Sequence, residues 1–302
     1  MATDIETELQ NLKTDPAMLR HFEELDEHGY TILEDTLTQR QVDEAIREIA
    51  VTYREVSATE HEPGTLRTHN LTARAEVFRE MLQVPRVMAC LAYLLGDDYI
   101  LCDSGARSPM PGMKAQGLHR DGDDFMPNPP YKVHAVVPTF AQSLFALSEF
   151  TAESGATRFV PGSHVRDLDS AKIPPEDERQ FICKPGACLV YDGRLMHGGA
   201  PNDTDQIRYA VLNFHCRARM KPFCDHTRSI PNDVVEAASP TLRRLWGFEC
   251  QSAWEESPRN YQIIEVTGAK PRFEYRGIGA VKEREERQKR EREREQAEAA
   301  TR

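Results

Sequence analysis

A histidine and an aspartate separated by one residue, His119 and Asp121, are the first side chains whose types and spacing could do chemistry. In an extended segment both leave the same face of the backbone and can bind one ion together. Such a pair also arises by chance on surfaces, so a distant third ligand is needed. His197 supplies it, just after an apolar strand and at the start of a glycine turn. Two neutral imidazoles and one carboxylate on one face of iron(II) leave its opposite face open.

An arginine 11 residues beyond the last histidine adds a second function. Arg208 belongs to an apolar stretch, Gln206 to Phe214, which predicts a strand with this residue facing inward. A guanidinium inside a β core is destabilising unless a carboxylate meets it, and a bidentate pair is the geometry that arginine prefers. We therefore predict that Arg208 holds the far carboxylate of 2-oxoglutarate, whose keto-acid end chelates the iron.

The elements that must position these residues follow from the periodicity of apolar side chains. Helical spacing predicts helices over Pro16 to His28, from Thr38 onward, and near Pro85 to Leu95. From Tyr99 onward the pattern changes to short β-branched and aromatic runs, which predicts a sandwich or barrel. The predicted strands are Tyr30 to Leu33, Tyr99 to Cys102, Val133 to Phe150, Thr157 to Val160, Ala187 to Tyr191 and Ile207 to Cys216, and two short helices follow at Pro231 to Ala238 and Pro240 to Trp246.

Composition limits the partners. The 302 residues carry 38 Lys and Arg against 49 Asp and Glu, a net charge of −11, whose average field repels nucleic acid. No apolar run reaches the roughly 18 residues of a membrane span, and the acidic N-terminus is unlike a secretory signal. Seven scattered cysteines without a Cys-x-x-Cys pair indicate reduced thiols. We expect a cytoplasmic protein that binds neither membranes nor nucleic acid.

Four motifs together resemble the phytanoyl-CoA hydroxylase-like (phytanoyl-CoA dioxygenase) family of Fe(II)/2-oxoglutarate dioxygenases. They are His119-x-Asp121, the Phe150 to His164 segment with its Gly-Ala-Thr turn, Lys184-Pro-Gly-Ala, and His197 followed by Arg208. The resemblance implies a mostly β fold with flanking helices, built on a double-stranded β-helix (jelly-roll, cupin-like) core. It implies iron ligation by His119, Asp121 and His197 and a co-substrate clamp at Arg208, with Gln116 and Thr157 also lying against 2-oxoglutarate.

The same resemblance implies the reaction. A small organic substrate is hydroxylated, or desaturated, epoxidised or rearranged, with O2 consumed, succinate and CO2 released, and ascorbate supportive. The motif around Ser239 to Phe248 resembles the subgroup that tailors natural products. Related halogenases have Gly or Ala where this chain has Asp121, so halogenation is disfavoured. Members of the family are often monomers or homodimers.

The resemblance covers the chain from about Asp15 to Trp254, and we predict one catalytic domain over residues 1–280, with a helical part over 1–98, a β core over about 99–220 and a helical cover over 221–280. Residues 281–302 form a nearly neutral charged tail, for which a solvated helix is favoured over a partner-binding arm. His134, His164 and His215 are interpreted as structural. Candidate substrate contacts are His69, Phe125, Met126, Tyr131 and Trp246, for each of which a surface or core role is the simpler alternative.

Two other functions fit the residues. A zinc-dependent cupin-like isomerase or hydrolase would use His119, Asp121 and His197 to activate water, with Arg208 binding a substrate acid. A non-catalytic binding or scaffold protein could keep the fold and use the charged tail as its partner arm. Succinate formation that depends on 2-oxoglutarate distinguishes the oxygenase from the hydrolase, and failure to bind iron would favour the scaffold.

Overall fold

The computed structural model describes residues 5–55, 64–121, 137–166 and 168–248. Two compact units divide the chain, residues 1–238 and residues 239–302, and only Ser239 to Phe248 of the second is described. The candidates Phe125, Met126 and Tyr131, the predicted structural His134 and the tail 281–302 lie outside the described residues. The assignment of 1–280 to one domain stays a prediction.

A six-stranded antiparallel sheet forms the larger layer of the first unit, in the order β1-β7-β4-β9-β3-β2. Its strands are β1 (Tyr30–Leu33), β2 (Thr65–Thr68), β3 (Ile100–Pro109), β4 (Phe140–Ala146), β7 (Cys188–Asp192) and β9 (Ala210–Cys216). Every residue of β4 and β7 is buried, because these strands lie at the centre of the sheet. The sheet begins with a strand from the N-terminal part, since Tyr30 pairs with Tyr191.

A second sheet has three strands in the order β6-β5-β8: β5 (Thr157–Phe159), β6 (Arg179–Gln180) and β8 (His197–Gly199). It is antiparallel, with Thr157 opposite Gly199 and Phe159 opposite His197. An isolated bridge joins His119 to His197. Side chains from both sheets, including Gln142 of β4 and Thr157 of β5, line one cavity between them.

Helices flank the sheets of the first unit, and one further helix belongs to the second unit. They are α1 (Ile5–Leu12), α2 (Pro16–His28), α3 (Gln39–Glu55), α4 (Glu76–Met81), α5 (Pro85–Leu95), α6 (His226–Ser229), α7 (Asn232–Ala237) and, in the second unit, α8 (Pro240–Leu245). The side chain of Asp15 caps α2, and Gly29 ends it with a φ of 81°, a conformation that favours glycine. Helix α5 packs against β4 and β7 and buries most of its residues. No helix among the described residues is long and apolar enough to cross a membrane.

The predicted helices and β-rich second half are confirmed, and their boundaries need correction. The strand predicted to end at Cys102 continues to Pro109. Of the strand predicted over Val133 to Phe150, residues 133–136 lie outside the described residues, and the rest forms a strand over Phe140–Ala146. Arg208 was predicted within a strand, but it precedes the first residue of β9 by two. Strands β2, β6 and β8 were not predicted because their sequences, Thr-Leu-Arg-Thr, Arg-Gln and His-Gly-Gly, contain no run of apolar β-branched or aromatic side chains.

Candidate active site

The backbone brings the two histidines together. His119 and His197 exchange a pair of hydrogen bonds, each amide donating to the other's carbonyl over 2.9 Å, and their ring centroids are 4.5 Å apart. His197 lies in strand β8 and not before a turn, which corrects the interpretation of the following glycines. A Cβ on Gly198 would stand 2.9 Å from the carbonyl oxygen of Gly117. Glycine is therefore required there by the close approach of the segment that carries His119.

The carboxylate completes the group. The amide of Asp121 donates to the carbonyl of Gly193 over 2.8 Å, and the amide nitrogen of the Gln142 side chain donates to Asp121 Oδ2 over 2.5 Å. Oδ2 lies 3.7 Å from Nε2 of His197. One ligand atom from each of His119, Asp121 and His197 lies within 4.8 Å of the others, close enough for all three to hold one metal ion.

Hydrogen bonds to the backbone select the tautomer of both rings. Nδ1 of His119 donates to the carbonyl of Gly117 over 3.1 Å, and Nδ1 of His197 donates to that of Leu195 over 2.9 Å. Because a carbonyl only accepts, Nε2 of each neutral ring carries a lone pair. Burial lowers the pKa of His197 to about 4, and burial and the neighbouring His197 lower the pKa of His119. Both rings are therefore neutral at physiological pH, as metal ligation requires.

Arg208 is a buried cation. Its side chain lies with Cζ 4.4 Å from the centre of the Phe150 ring, and only 4% of the residue is exposed. Within the part of the chain that the structure describes, Nε and Nη1 have no hydrogen-bond partner. Burial and the nearby charge of Arg107 lower the pKa of Arg208 to about 9, so it stays charged at neutral pH. A buried guanidinium with unused donors is the environment in which an anion binds most strongly.

The predicted co-substrate residues lie in the same place. The backbone amide of Gln116 donates to the carbonyl of Gly199 over 2.9 Å, and Oε1 of Gln116 accepts from the amide of Gly199 over 3.2 Å. Thr157 is buried on β5 directly opposite that glycine. The cavity has a volume of about 370 Å³. Seven of the predicted site residues line it: His69, Gln116, His119, Asp121, Thr157, His197 and Arg208.

The remaining candidates are distributed differently. Nε2 of His164 is within 3.2 Å of the carbonyl of Asp26, and His215 packs edge-on against Tyr99, in agreement with structural roles. Trp246 follows α8 in the second unit, whereas the cavity residues named here belong to the first. Phe125, Met126 and Tyr131 fall outside the described residues, so their proposed contacts stay predictions.

The sequence interpretation missed several cavity residues, among them Asp103, Gln142 and Arg107. Gln142 lies in the fully buried strand Phe-Ala-Gln-Ser-Leu-Phe-Ala, where a large amide among apolar side chains is itself a signal of a buried polar contact. Asp103 and Arg107 are four residues apart on β3, on one face of the strand. Two charged residues at that spacing in an otherwise uncharged strand carry the same signal.

Comparison with known proteins gives a consistent result. The family model described as phytanoyl-CoA dioxygenase matches residues 25–210. A dioxygenase of Aspergillus terreus named trt7 is 29% identical over 245 residues, covering 78% of this chain and 85% of the relative. The Fe(II)/2-oxoglutarate-dependent dioxygenase nvfF of Aspergillus novofumigatus is 32% identical over 247 residues, covering 74% of this chain and 79% of the relative.

Solved structures share the fold. The 2-oxoglutarate-dependent epimerase SnoN from nogalamycin biosynthesis superposes with a TM-score of 0.56 at 19% identity, covering 69% of this chain and 87% of SnoN. HygX from Streptomyces hygroscopicus, solved with nickel and 2-oxoglutarate, superposes with a TM-score of 0.56 at 16% identity, covering 67% of this chain and 88% of HygX. These likenesses confirm the predicted jelly-roll core with flanking helices.

Proposed function

The chain belongs to the phytanoyl-CoA dioxygenase family, and on this premise we propose that its cavity is the active site of an Fe(II)/2-oxoglutarate-dependent dioxygenase acting on a small secondary metabolite. One observation carries the proposal. The three candidate metal ligands and a buried arginine with unused donors line a single cavity between the two sheets. The three candidate ligands suit a metal ion, and the buried arginine suits a dicarboxylate. This enzyme class needs both.

The donor set fits iron. Two imidazoles and one carboxylate are the protein ligands of open-faced ferrous sites, and the bonds from Nδ1 to Gly117 and Leu195 hold both rings in the ligating tautomer. Gln142 fixes the carboxylate of Asp121 in the same way. When bound, iron and 2-oxoglutarate supply the oxidising chemistry, in which O2 is consumed and succinate and CO2 are released.

The chain's own residues then bind the co-substrate and orient it. Arg208 offers Nε and Nη1 to the distal carboxylate, while Thr157 and Gln116 limit where the rest of the co-substrate can lie. Tyr191 packs edge-on against the ring of His197, with centroids 4.9 Å apart, and closes that side of the ligand with apolar surface. The reacting centre is therefore held by buried groups that need little rearrangement when the co-substrate binds.

The hydrolase alternative is weaker. A zinc hydrolase needs the three ligands and a water, but it has no general need for a fully buried guanidinium with unused donors. The curated relatives named above are dioxygenases, and they match across more than two thirds of this chain. A catalytically inactive scaffold would have no reason to keep both imidazoles in the ligating tautomer.

The ligands of two solved structures with the same fold support a small-molecule substrate. SnoN has been solved with nogalamycin RO, and HygX with hygromycin B. We propose that this chain likewise takes a natural product and hydroxylates, desaturates, epoxidises or rearranges it. We further propose a cytoplasmic monomer or homodimer, without a nucleic-acid or membrane partner, whose activity ascorbate supports.

An anaerobic titration tests the function. Full-length protein is mixed with iron(II) and then with 2-oxoglutarate, and a visible charge-transfer band is expected only when both are present. The Arg208→Ala variant should bind iron normally and require far more 2-oxoglutarate to form the band. Arg54→Ala, an exposed arginine on α3, is the matched control and should titrate like wild type. Tight binding of zinc with no response to 2-oxoglutarate would instead identify the hydrolase.

A further inference from the structure

The register of the six-stranded sheet indicates how far apart the residues that line the cavity lie. Arg208 marks one end, and Phe214 lies six residues further along the same segment, up to about 20 Å away at 3.3 Å per residue. Asp103, Phe214 and Gln142 are direct partners across β3, β9 and β4, and Gln142 donates to the candidate ligand Asp121. The row that contains Asp103 and Phe214 is therefore within two strand spacings, about 10 Å, of the residue that holds this ligand.

An ion pair stands at the end of this row. Nδ1 of His69 donates to Oδ2 of Asp103 over 2.5 Å, and the backbone amide of Asn70 and the thiol of Cys224 donate to Oδ1 over 3.2 and 3.0 Å. Burial alone would raise the pKa of Asp103, but these hydrogen bonds outweigh it and the pKa is lowered. The bond to Asp103 raises the pKa of His69. The His69 side chain is 54% exposed and lines the cavity.

An aromatic surface lies beside the pair. The rings of Phe214 and Phe223 have centroids 5.0 Å apart, and both line the cavity. Phe223 is 47% exposed, which is unusual for a phenylalanine. Its segment is anchored to β3, because the amide of Cys224 donates to the carbonyl of Cys102 over 3.1 Å. One short segment thus provides Phe223 of the aromatic surface and, through the Cys224 thiol, a hydrogen bond to Asp103.

We propose that these residues form the substrate subsite: His69, held by Asp103, donates a hydrogen bond to a carbonyl oxygen of an apolar ring system that packs on Phe214 and Phe223. This deepens the proposed function and rests on it. The subsite selects substrates that combine a flat apolar face with an oxygen acceptor at its edge. An imidazolium donor forms a stronger hydrogen bond than a neutral one, and the aromatic surface excludes water from it.

Two small probes test the subsite without knowledge of the natural substrate. 1-Tetralone has an apolar ring system with one carbonyl, and tetralin is the same ring system without it. Binding of each is measured by calorimetry to full-length protein loaded anaerobically with iron(II) and 2-oxoglutarate. Loss of one charge-assisted hydrogen bond weakens binding by roughly tenfold. We therefore expect His69→Phe to weaken 1-tetralone by about this factor and to leave tetralin within twofold.

Variants separate the two parts of the subsite. Phe223→Ala should weaken both probes by the same factor, because it removes only apolar contact. Asp103→Asn should reduce the preference for 1-tetralone less than His69→Phe does, because it removes the charge and keeps the ring. His28→Phe, a partly buried histidine on α2 whose ring faces Tyr30, is the matched control and should change neither affinity.

The outcomes are distinct. Equal weakening of both probes by His69→Phe, no effect of that variant, or failure of both probes to bind wild type overturns the subsite. The charge-transfer band should form in His69→Phe as in wild type, because the variant leaves the iron and co-substrate residues intact. If the band is missing from wild type, the proposed oxygenase function fails, and the probe affinities still report on His69 independently.

Discussion

The two ends of the cavity differ in whether their charged side chains already have partners. At one end Arg208 is buried against Phe150 and leaves two donor atoms without a partner among the described residues. At the other end the His69 ring already has a hydrogen-bond partner, the carboxylate of Asp103, before any ligand binds. An unpaired buried cation destabilises the protein until an anion binds, so this end requires one particular kind of ligand. Side chains that already have their partners impose a milder requirement.

This difference suggests how one fold can keep its co-substrate and change its substrate. In the proposed function the Arg208 end would bind a dicarboxylate through charge, and most other ligands would leave the guanidinium unpaired. The His69 end combines one donor with an aromatic surface, which many ring systems can satisfy. Substitution near Phe223 should therefore alter substrate preference without altering 2-oxoglutarate dependence.

The two ends of the cavity can serve one reaction only if His119, Asp121 and His197 hold a metal ion. Replacing Asp121 by Ala removes the only carboxylate of the candidate ligand group, and we expect 2-oxoglutarate-dependent succinate formation to fall by about a thousandfold or more. Succinate is measured at saturating iron and co-substrate. Asp205→Ala, an exposed acid in the loop before Arg208, is the control. Activity near the wild-type level in Asp121→Ala would disprove the ligand assignment.

Arg208→Ala tests the Arg208 end of the cavity directly. Loss of a buried charged partner typically costs several kcal/mol, so we expect the KM for 2-oxoglutarate to rise roughly 100-fold while kcat changes much less. Arg208→Lys should recover part of the loss, because lysine restores the charge and lacks the planar fork. Steady-state succinate formation over a range of 2-oxoglutarate concentrations separates the two constants. An unchanged KM in both variants would place the distal carboxylate elsewhere.

The site residues differ in how far the sequence predicted them. The motif around His119 and Asp121 is local, so its extended geometry and its ion-binding role could be inferred directly. That His197 would face these residues depended on a fold-level resemblance, because 75 or more residues separate the partners and strand β8 is too short to show a period. The burial of Arg208 followed from its apolar neighbours, although the strand itself begins two residues later.

The substrate end could not be predicted in the same way. His69 was predicted as a candidate substrate contact on a loop, but nothing near it in sequence indicates that Asp103, 34 residues away, would accept its hydrogen bond. Phe214 and Phe223 belong to different segments, and only their folded positions make one surface. Charge pairs and aromatic surfaces built from distant segments depend on strand register, which periodicity alone does not determine.

Gln142 connects the two ends, because it holds Asp121 and stands in register with Phe214. Removing a hydrogen-bond partner of a metal ligand typically weakens metal binding or activity 10- to 100-fold. We expect Gln142→Leu to weaken iron(II) affinity roughly tenfold, measured by anaerobic competition with a chelator. Ser143→Ala, the neighbouring residue on the other face of β4, is the matched control. Equal affinities in Gln142→Leu and wild type would show that Asp121 is oriented without this bond.

The smallest expected effect is on the free energy of unfolding and comes from the His69–Asp103 pair. The pKa of His69 is raised, chiefly by its hydrogen bond to Asp103, so the folded protein holds this proton more tightly than the unfolded chain. The resulting stabilisation is complete below the ordinary histidine value of 6.5 and is lost as the pH rises through the folded-state pKa. Since the His69 side chain is 54% exposed, solvent screening limits the effect to well under about 1 kcal/mol. Urea unfolding of wild type and Asp103→Asn should give a difference in free energy of unfolding that is larger at pH 6 than at pH 9. In a His69→Phe background the same difference should not depend on pH, and a dependence that persists there would assign the titration to another group.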